Sequence, residues 1–320
     1  MTFWPGKKVI VAGGAGFIGQ HLVQALLNAE AAVHVIDNYA TGGPLEVQPR
    51  KTEQLTQQKH DICLTATFPQ TDIIYNLASP ASPLHYQSDP IQTWKTNVLG
   101  SMHMLDHALS CGATLVQAST SEVYGDPLSH PQKETDWGNV NPIGPRACYD
   151  EGKRAAEALL MDAVRTKNAD IRIARIFNTY GPGMAVSDGR AIPNFAAQAR
   201  VGAPLTIHGD GAQTRSFCHV SDTVEGLLRL GMVDAAKGEV VNIGNPTEVT
   251  ILEIAQQVNA LFGDKCDIVF EARPVDDPQR RCPDISKAKQ LLGWTPTMTL
   301  KDGLATIYQA TPEIRSQVAS

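Results

Sequence analysis

Three observations predict an α/β fold built on a parallel, doubly wound sheet. Short apolar runs alternate with amphipathic helices, the first run opens into a glycine-rich turn, and the second ends on an acidic residue. Runs that are apolar throughout suit strands buried on both faces, and such strands belong to parallel sheets covered by helices. The first is Lys8-Val9-Ile10-Val11-Ala12, followed by Gly13-Gly14-Ala15-Gly16-Phe17-Ile18-Gly19 and a helix to about Asn28. Gly13, Gly16 and Gly19 permit a tight turn, let backbone approach a pyrophosphate, and aim the helix N-terminus at its charge. A glycine turn without a ligand is the plainer reading. It loses weight because Ala32-Val33-His34-Val35-Ile36 ends in Asp37, whose carboxylate can accept hydrogen bonds from an adenosine ribose and would repel a 2′-phosphate. The stretch is therefore read as a Rossmann site for NAD in preference to NADP.

The later elements extend the pattern. His60-Asp61-Ile62 can flank the adenine, or form a solvated turn. Asp72 to Ala78 reads as a buried strand that leaves in Ser79-Pro80-Ala81-Ser82-Pro83, where the prolines forbid regular continuation at a ligand-binding strand end. Asp89 and Pro90 have the cap and first-turn signature of a helix to about Ser110, with Gly112 just past its end. Asn97 on that helix reads equally as a polar residue on a wet face or as a cofactor contact. Thr114 to Ala118 is the next strand, and Ser119-Thr120-Ser121-Glu122 at its end would face the nicotinamide and a sugar. A helix is expected from Tyr149 to about Thr166, and a strand over Ile171 to Ile176.

Tyr149 and Lys153, four apart, share one helix face, so the ammonium is expected to favour the phenolate, as would a bound nicotinamide cation. A tyrosine so placed can take a proton from a sugar hydroxyl while hydride leaves the same carbon. Many helices carry Y-x-x-x-K by chance, so its weight rests on the nucleotide site around it.

Composition excludes other classes. The 320 residues suffice for one large or two modest cores, and 42% hydrophobic with 19% charged residues is ordinary for a globular protein. A net charge of −6 gives no case for a nucleic-acid partner. Cys63, Cys111, Cys148, Cys218, Cys266 and Cys282 are scattered without a C-x-x-C pair, which argues against a zinc site or a disulfide framework and fits a reducing compartment. No metal is expected. Met1 to Lys8 is read as leaving no room for a signal peptide, and no apolar run is long enough to span a bilayer, so a cytoplasmic enzyme is expected.

With these residues in place, the chain resembles the extended short-chain dehydrogenase/reductase family, and within it the UDP-glucuronate decarboxylases (UDP-xylose synthases). The resemblance is carried by N-L-A-S-P-A-S-P (Asn76 to Pro83), A-S-T-S-E-V-Y-G-D-P (Ala118 to Pro127), N-P-I-G-P-R-A-C-Y-D-E-G-K-R (Asn141 to Arg154), A-R-I-F-N-T-Y-G-P (Ala174 to Pro182), Q-T-R-S-F (Gln213 to Phe217) and D-D-P-Q-R-R-C-P-D-I (Asp276 to Ile285). It implies that Tyr149, helped by Lys153 and Thr120, deprotonates the 4-hydroxyl of UDP-glucuronate as hydride passes to NAD. Loss of carbon dioxide from the 4-ketone, protonation at C5 and hydride return then give UDP-xylose. Glu122 and Arg281 are implied in positioning the sugar and in the decarboxylation and protonation steps. The implied NAD contacts are Gly13, Gly16, Phe17, Ile18, Asp37, Asn38, Asp61, Ile62, Leu77, Ala78, Ser79, Asn97, Ser119, Tyr149, Lys153 and Ile176. Those implied for the substrate are Pro83, Tyr86, Asn178, Arg190, Asn194, Thr206, His208, Gln213, Arg215 and Arg281. A homodimer, pairing the Pro90–Ser110 and Tyr149–Thr166 helices across a two-fold axis, is also implied.

After Gly181-Pro182-Gly183 the character changes, so residues 1–180 are expected to form the NAD-binding Rossmann domain, rejoined by roughly 212–235, and 181–320 mainly a smaller UDP-sugar-binding domain. Arg190 and Arg215 suit diphosphate, because a guanidinium grips phosphate bidentately. Two positions depart from the family: His208, where tyrosine is common and can stack near uracil, and Cys282, where lysine is usual. His219 reads as structural. Val240 to Gly244 is expected as a strand, Thr250 and Glu253 as a capping box, Arg273 to Arg281 as a polar loop, and Leu300 to Ala310 as the last helix before a frayed tail. Competing readings are a nucleotide-sugar 4,6-dehydratase or 4-epimerase, a decarboxylase that releases the 4-keto pentose, and an NAD-binding protein without catalysis. Intact Thr120, Glu122, Tyr149, Lys153 and Arg281 weigh against the last.

Overall fold

The computed structural model describes residues 3–185, 188–272 and 280–310. The first half runs β1 (Lys8–Ala12), α1 (Phe17–Asn28), β2 (Ala32–Asp37), β3 (Leu55–Lys59), β4 (Ile73–Asn76), α2 (Pro83–Ser88), α3 (Pro90–Lys95), α4 (Ser101–Cys111), β5 (Thr114–Thr120), α5 (Ala147–Lys167) and β6 (Ile171–Ile176). The second runs β7 (Thr179–Tyr180), α6 (Ala191–Arg200), β8 (Leu205–His208), β9 (Thr214–Ser216), β10 (Cys218–His219), α7 (Val220–Met232), β11 (Val240–Ile243), β12 (Glu248–Thr250), α8 (Ile251–Leu261), β13 (Ile268–Glu271), α9 (Ser286–Leu292) and α10 (Leu300–Gln309).

Seven parallel strands form the main sheet in the order β11-β6-β5-β4-β1-β2-β3. Side chains alternate across it. Val9 and Val11 of β1 join Leu22 and Leu26 of α1 and Leu227 of α7 on one face, while Ile10 and Ala12 join Met104 of α4 and Leu160 of α5 on the other. This two-sided burial is why β1 reads as continuously apolar. β3 escaped the sequence reading because Leu-Thr-Gln-Gln-Lys is mostly polar, as suits an edge strand facing water.

The chain departs from β1 toward β2 and β3, then returns to place β4 on β1's other side. The resulting switch point opens a crevice at the carboxyl ends of β1 and β4, the place where such sheets bind ligands. The expected Pro90–Ser110 helix is instead α3 and α4 joined by a π-helical turn at Thr96–Gly100, ending with Gly112 at φ +64°. The widened turn draws Asn97 into the interior, only 1% exposed. Gly100 permits it: a Cβ there would lie 2.4 Å from Ile62 Cδ1.

A separate core unites Ile192 and Phe195 of α6, Leu205 and Ile207 of β8, Ile254 and Val258 of α8, and Leu304 of α10. α8 begins with the anticipated capping box: Glu253 N–H donates to Thr250 Oγ1 at 3.1 Å, and Thr250 N–H to Glu253 Oε2 at 2.8 Å. His219 is structural, its ring bonded to Ser221 Oγ at 2.8 Å and Thr306 Oγ1 at 3.1 Å. Arg273, Asp276, Asp277 and the segment after 310 lie outside the described residues.

Candidate active site

A cavity of about 820 Å³ runs from the glycine turn, past the carboxyl ends of β4, β5 and β6, to α6 and β8. Gly13 (φ +78°) sits where a Cβ would lie 2.7 Å from Ala78 N and from Leu77 C, so only glycine lets the turn nest against the end of β4. Gly19 has a similar reason: a Cβ would lie 2.2 Å from Gly13 O. The turn delivers the N-terminus of α1 to the cavity with free amide donors, a cradle for a pyrophosphate. Asp37 accepts hydrogen bonds from Ala15 N–H at 2.9 Å and Tyr39 N–H at 2.8 Å, which lock its carboxylate beside that turn. These features fit a bound NAD.

The catalytic wall is built by β5 and α5. Thr120 ends β5, where its hydroxyl accepts from Glu122 N–H at 3.2 Å, turning the chain so that the Glu122 carboxylate enters the cavity. Lys153 is buried and donates to Ala118 O at 2.8 Å, with its Nζ 5.7 Å from the Tyr149 ring centroid. Tyr149 stacks on Tyr86 with centroids 4.9 Å apart and planes 6° from parallel.

Electrostatics here differ from the simple expectation. Burial pushes the Tyr149 phenol up to about 12, despite a hydrogen bond with Thr120 that favours the phenolate. Burial also pushes Lys153 down to about 8, against the pull of Glu157. The ammonium therefore does not prepare a resting phenolate; desolvation is larger than the pairwise attraction.

Glu122 is the electrostatic centre. Arg281 grips it bidentately, Nη1 to Oε1 at 2.5 Å and Nη2 to Oε2 at 2.7 Å. Arg146 adds a bond from Nη2 to Oε2 at 2.5 Å. Burial would raise the Glu122 carboxyl, but Arg281 and Arg146, with a smaller effect from Arg215, outweigh it and hold the group below its usual range. Asp150 shows the opposite balance: burial, then the Glu122 charge, raises it to about 7, with Arg146 3.8 Å away. Arg146 and Asp150 were not singled out from the sequence. Both stand within the Asn141–Arg154 stretch, but their convergence on Glu122 arises only when α5 packs against the end of β5.

The cavity gathers Gly13, Gly16, Phe17, Ile18, Leu77, Ser79, Pro83, Tyr86, Ser119, Thr120, Glu122, Tyr149, Lys153, Ile176, Asn178, Arg190, Asn194, Thr206, His208, Gln213, Arg215 and Arg281. Asp37, Asn38, Asp61, Ile62, Ala78 and Asn97 are not in its lining. Asp61 accepts from Asn38 Nδ2 at 3.3 Å and Gln92 Nε2 at 3.1 Å, so it braces the turn after β2. Ile62 belongs to the sheet's core. Asn97 lies under α5, where a Cβ on Gly152 would be 3.2 Å from its Nδ2. Arg190 pairs with Asp188, and Arg215 donates to Thr214 O at 2.8 Å. His208, half exposed, lies 3.9 Å from a Glu271 oxygen.

Residues 9–244 match the model of the NAD dependent epimerase/dehydratase family. The chain is 52% identical over 303 residues to UDP-glucuronic acid decarboxylase 2 of Arabidopsis thaliana, covering 93% of this chain and 67% of that protein. It is 50% identical over 308 residues to UDP-glucuronic acid decarboxylase 6 of the same plant, covering 94% and 88%. Among solved structures, the UDP-glucuronic acid 4-epimerase of Bacillus cereus in complex with UDP-glucuronic acid and NAD superimposes with a TM-score of 0.82 at 29% identity, covering 97% of this chain and 99% of that one. A glycine cradle at the switch point, a buried Tyr149–Lys153 pair and a family match over most of the sheet agree: the chain belongs to the NAD dependent epimerase/dehydratase family, in the branch of the UDP-glucuronic acid decarboxylases.

Proposed function

We propose that the protein converts UDP-glucuronate to UDP-xylose and carbon dioxide. The observation that carries this reading is the Arg281–Glu122 pair in the cavity lining, a buried guanidinium already bound to one carboxylate and able to exchange it for another. The Gly13–Gly16 turn and Asp37 would hold NAD, which when bound would supply a hydride acceptor for C4 that is regenerated by the end of the cycle, so that no net redox occurs. Tyr149 takes the proton of the 4-hydroxyl as its phenolate, a form that the Thr120 hydrogen bond favours and that a bound nicotinamide cation would favour further over the resting phenol, with Lys153 beside it. The C4 ketone is β to the C6 carboxylate, so the C5–C6 electron pair passes into an enolate as carbon dioxide departs. Arg281, turning from Glu122 to the substrate, removes a charge that keeps Glu122 ionised. Glu122 then takes up a proton from solvent and delivers it to C5, and Tyr149 returns the proton it took to the oxygen on C4.

Arg190 and Arg215 clamp the diphosphate and His208 packs beside the base, a reading supported by all three lining the same cavity. Residues 1–180 with the 212–235 return make up the NAD-binding unit, and most of 181–320 the UDP-sugar unit. This division is supported by α7 packing on the same face as α1 and by the separate core around α6 and α8. A homodimer is supported by Ile91, Leu99 and Met102, exposed along the Pro90–Cys111 stretch. Six unpaired thiols support a cytoplasmic setting; among the described residues no helix is long and apolar enough to cross a membrane.

The test is incubation of purified protein with UDP-glucuronate, with and without added NAD, measuring carbon dioxide and the sugar nucleotide released. Equal amounts of carbon dioxide and UDP-xylose are expected. Inversion at C4 without gas would replace the reading with an epimerase, and accumulation of the 4-keto pentose with NADH would show that the cycle stops after decarboxylation.

A further inference from the structure

Away from the floor of the cavity, three potential metal ligands from distant parts of the chain converge. His130 Nε2, a Glu248 carboxylate oxygen and Cys282 Sγ all lie within 4.8 Å of one another. His130 Nε2 is 2.9 Å from Glu248 Oε2, while Glu248 Oε1 is held by the Thr214 hydroxyl at 2.6 Å. Cys282 is buried, and its thiol donates to Pro246 O at 3.2 Å. The backbones are tied as well. Gln132 N–H donates to Cys282 O at 2.9 Å, Cys282 N–H to Gln132 Oε1 at 2.8 Å, and Glu248 pairs with Ser216 in the β9–β12 ribbon. The three side chains are thus presented on a frame already built by the fold.

We propose that His130, Glu248 and Cys282 form a binding site for a thiophilic divalent cation of the zinc type. One nitrogen, one carboxylate oxygen and one thiolate are ligands suited to zinc, and they leave a fourth tetrahedral position for water. A magnesium or calcium ion is disfavoured, because those ions want several oxygens. Tetrahedral ligands around zinc sit about 3.5 Å apart given its usual bond lengths, so adjustments of about an ångström close the site. Binding exchanges the thiol proton for the metal: the S–H bond breaks, the sulfur–metal bond forms, the proton leaves to solvent, and nothing is oxidised or reduced.

The placement gives the site a consequence. Cys282 follows Arg281, whose backbone oxygen accepts from Ser216 N–H at 3.3 Å and Ser216 Oγ at 3.2 Å. An ion there ties together the His130 loop, the start of β12 and the segment that carries Arg281 into the cavity.

Co2+ is the probe, added to the full chain after chelator treatment, with the half-buried thiols Cys63 and Cys111 replaced by serine in every arm. A sulfur-to-cobalt charge-transfer band that saturates at about one ion per chain is expected. C282S should abolish the band while NAD still binds, and H130A, at an exposed ring, should weaken cobalt affinity at least about tenfold. Zinc should raise the melting midpoint of the parent and not of C282S. A band that survives C282S, or an affinity indifferent to H130A, overturns the proposal. Should C282S lose its fold, E248Q takes its place, with weakened cobalt binding as the supporting result and unchanged binding as the refuting one.

Discussion

Replacing Lys153 with methionine should abolish turnover and yet stabilise the protein near neutral pH. The Lys153 ammonium is buried and pushed from 10.5 to about 8. In the charged state below pH 8, that difference is a cost of about 3 kcal/mol relative to the unfolded chain, at ~1.4 kcal/mol per unit. Methionine keeps most of the apolar stem without the charge, but forfeits the 2.8 Å bond to Ala118 O, a loss of about 1 kcal/mol. The net gain is about 2 kcal/mol, or roughly 3 °C in melting midpoint for a chain of this size. Its sign is set by linkage: between pH 8 and 10.5 the unfolded chain binds the proton that the folded one has released, so wild-type stability rises with pH there. The advantage of K153M should therefore be full below pH 8 and fade toward pH 10.5. Thermal unfolding of both cofactor-free proteins at pH 7 and pH 9.5, beside the product assay, measures this. A variant less stable than wild type at pH 7, or a gap that does not change with pH, would refute the desolvation argument.

Tyr149→Phe should keep the fold and NAD affinity while turnover on UDP-glucuronate falls by about 10²–10⁴; rates near wild type would remove Tyr149 as the base. Arg281→Ala removes the bidentate partner of Glu122 and leaves Arg146 as its remaining short contact, so decarboxylation should fall far more than NAD affinity, and stability by about 3 kcal/mol. Parallel loss of NAD binding would point to a purely structural Arg281. Because Arg281 lowers the Glu122 carboxyl, its stabilising effect is present above the ordinary carboxylate range and lost as pH falls below it. The stability gap between wild type and R281A should accordingly be widest above that range and shrink as pH falls through it. Asp37→Ala should narrow the preference for NAD over NADP, measured by the ratio of their dissociation constants; a wild-type protein that favours NADP would contradict the ribose assignment.

The positions where sequence and structure part follow from how information is stored in the chain. β1 and β4 are legible because burial on both faces demands mostly apolar residues, β2 because its buried positions keep valine and isoleucine, and the Gly13–Gly19 turn because a Cβ at Gly13 or Gly19 would strike backbone. β3 is hidden because an edge strand tolerates polar residues on its wet side. The π-helical turn that buries Asn97 has no composition of its own. It depends on Gly100 fitting against Ile62, which is distant in the chain.

By itself, then, the sequence indicated the alternation of strand and helix, the glycine cradle, an acidic residue at the end of β2 and the Tyr149–Lys153 face, all written in local patterns of glycine, charge and apolar spacing. Tertiary structure decided the charge state of those groups. Whether Tyr149 rests as a phenol, Lys153 is poised near neutrality and Glu122 stays ionised depends on depth of burial and on Arg146, Asp150 and Arg281 meeting across the cavity. Desolvation and Coulomb interaction are properties of position in space, and residues 159 positions apart in the chain, such as Glu122 and Arg281, acquire them only when the fold closes.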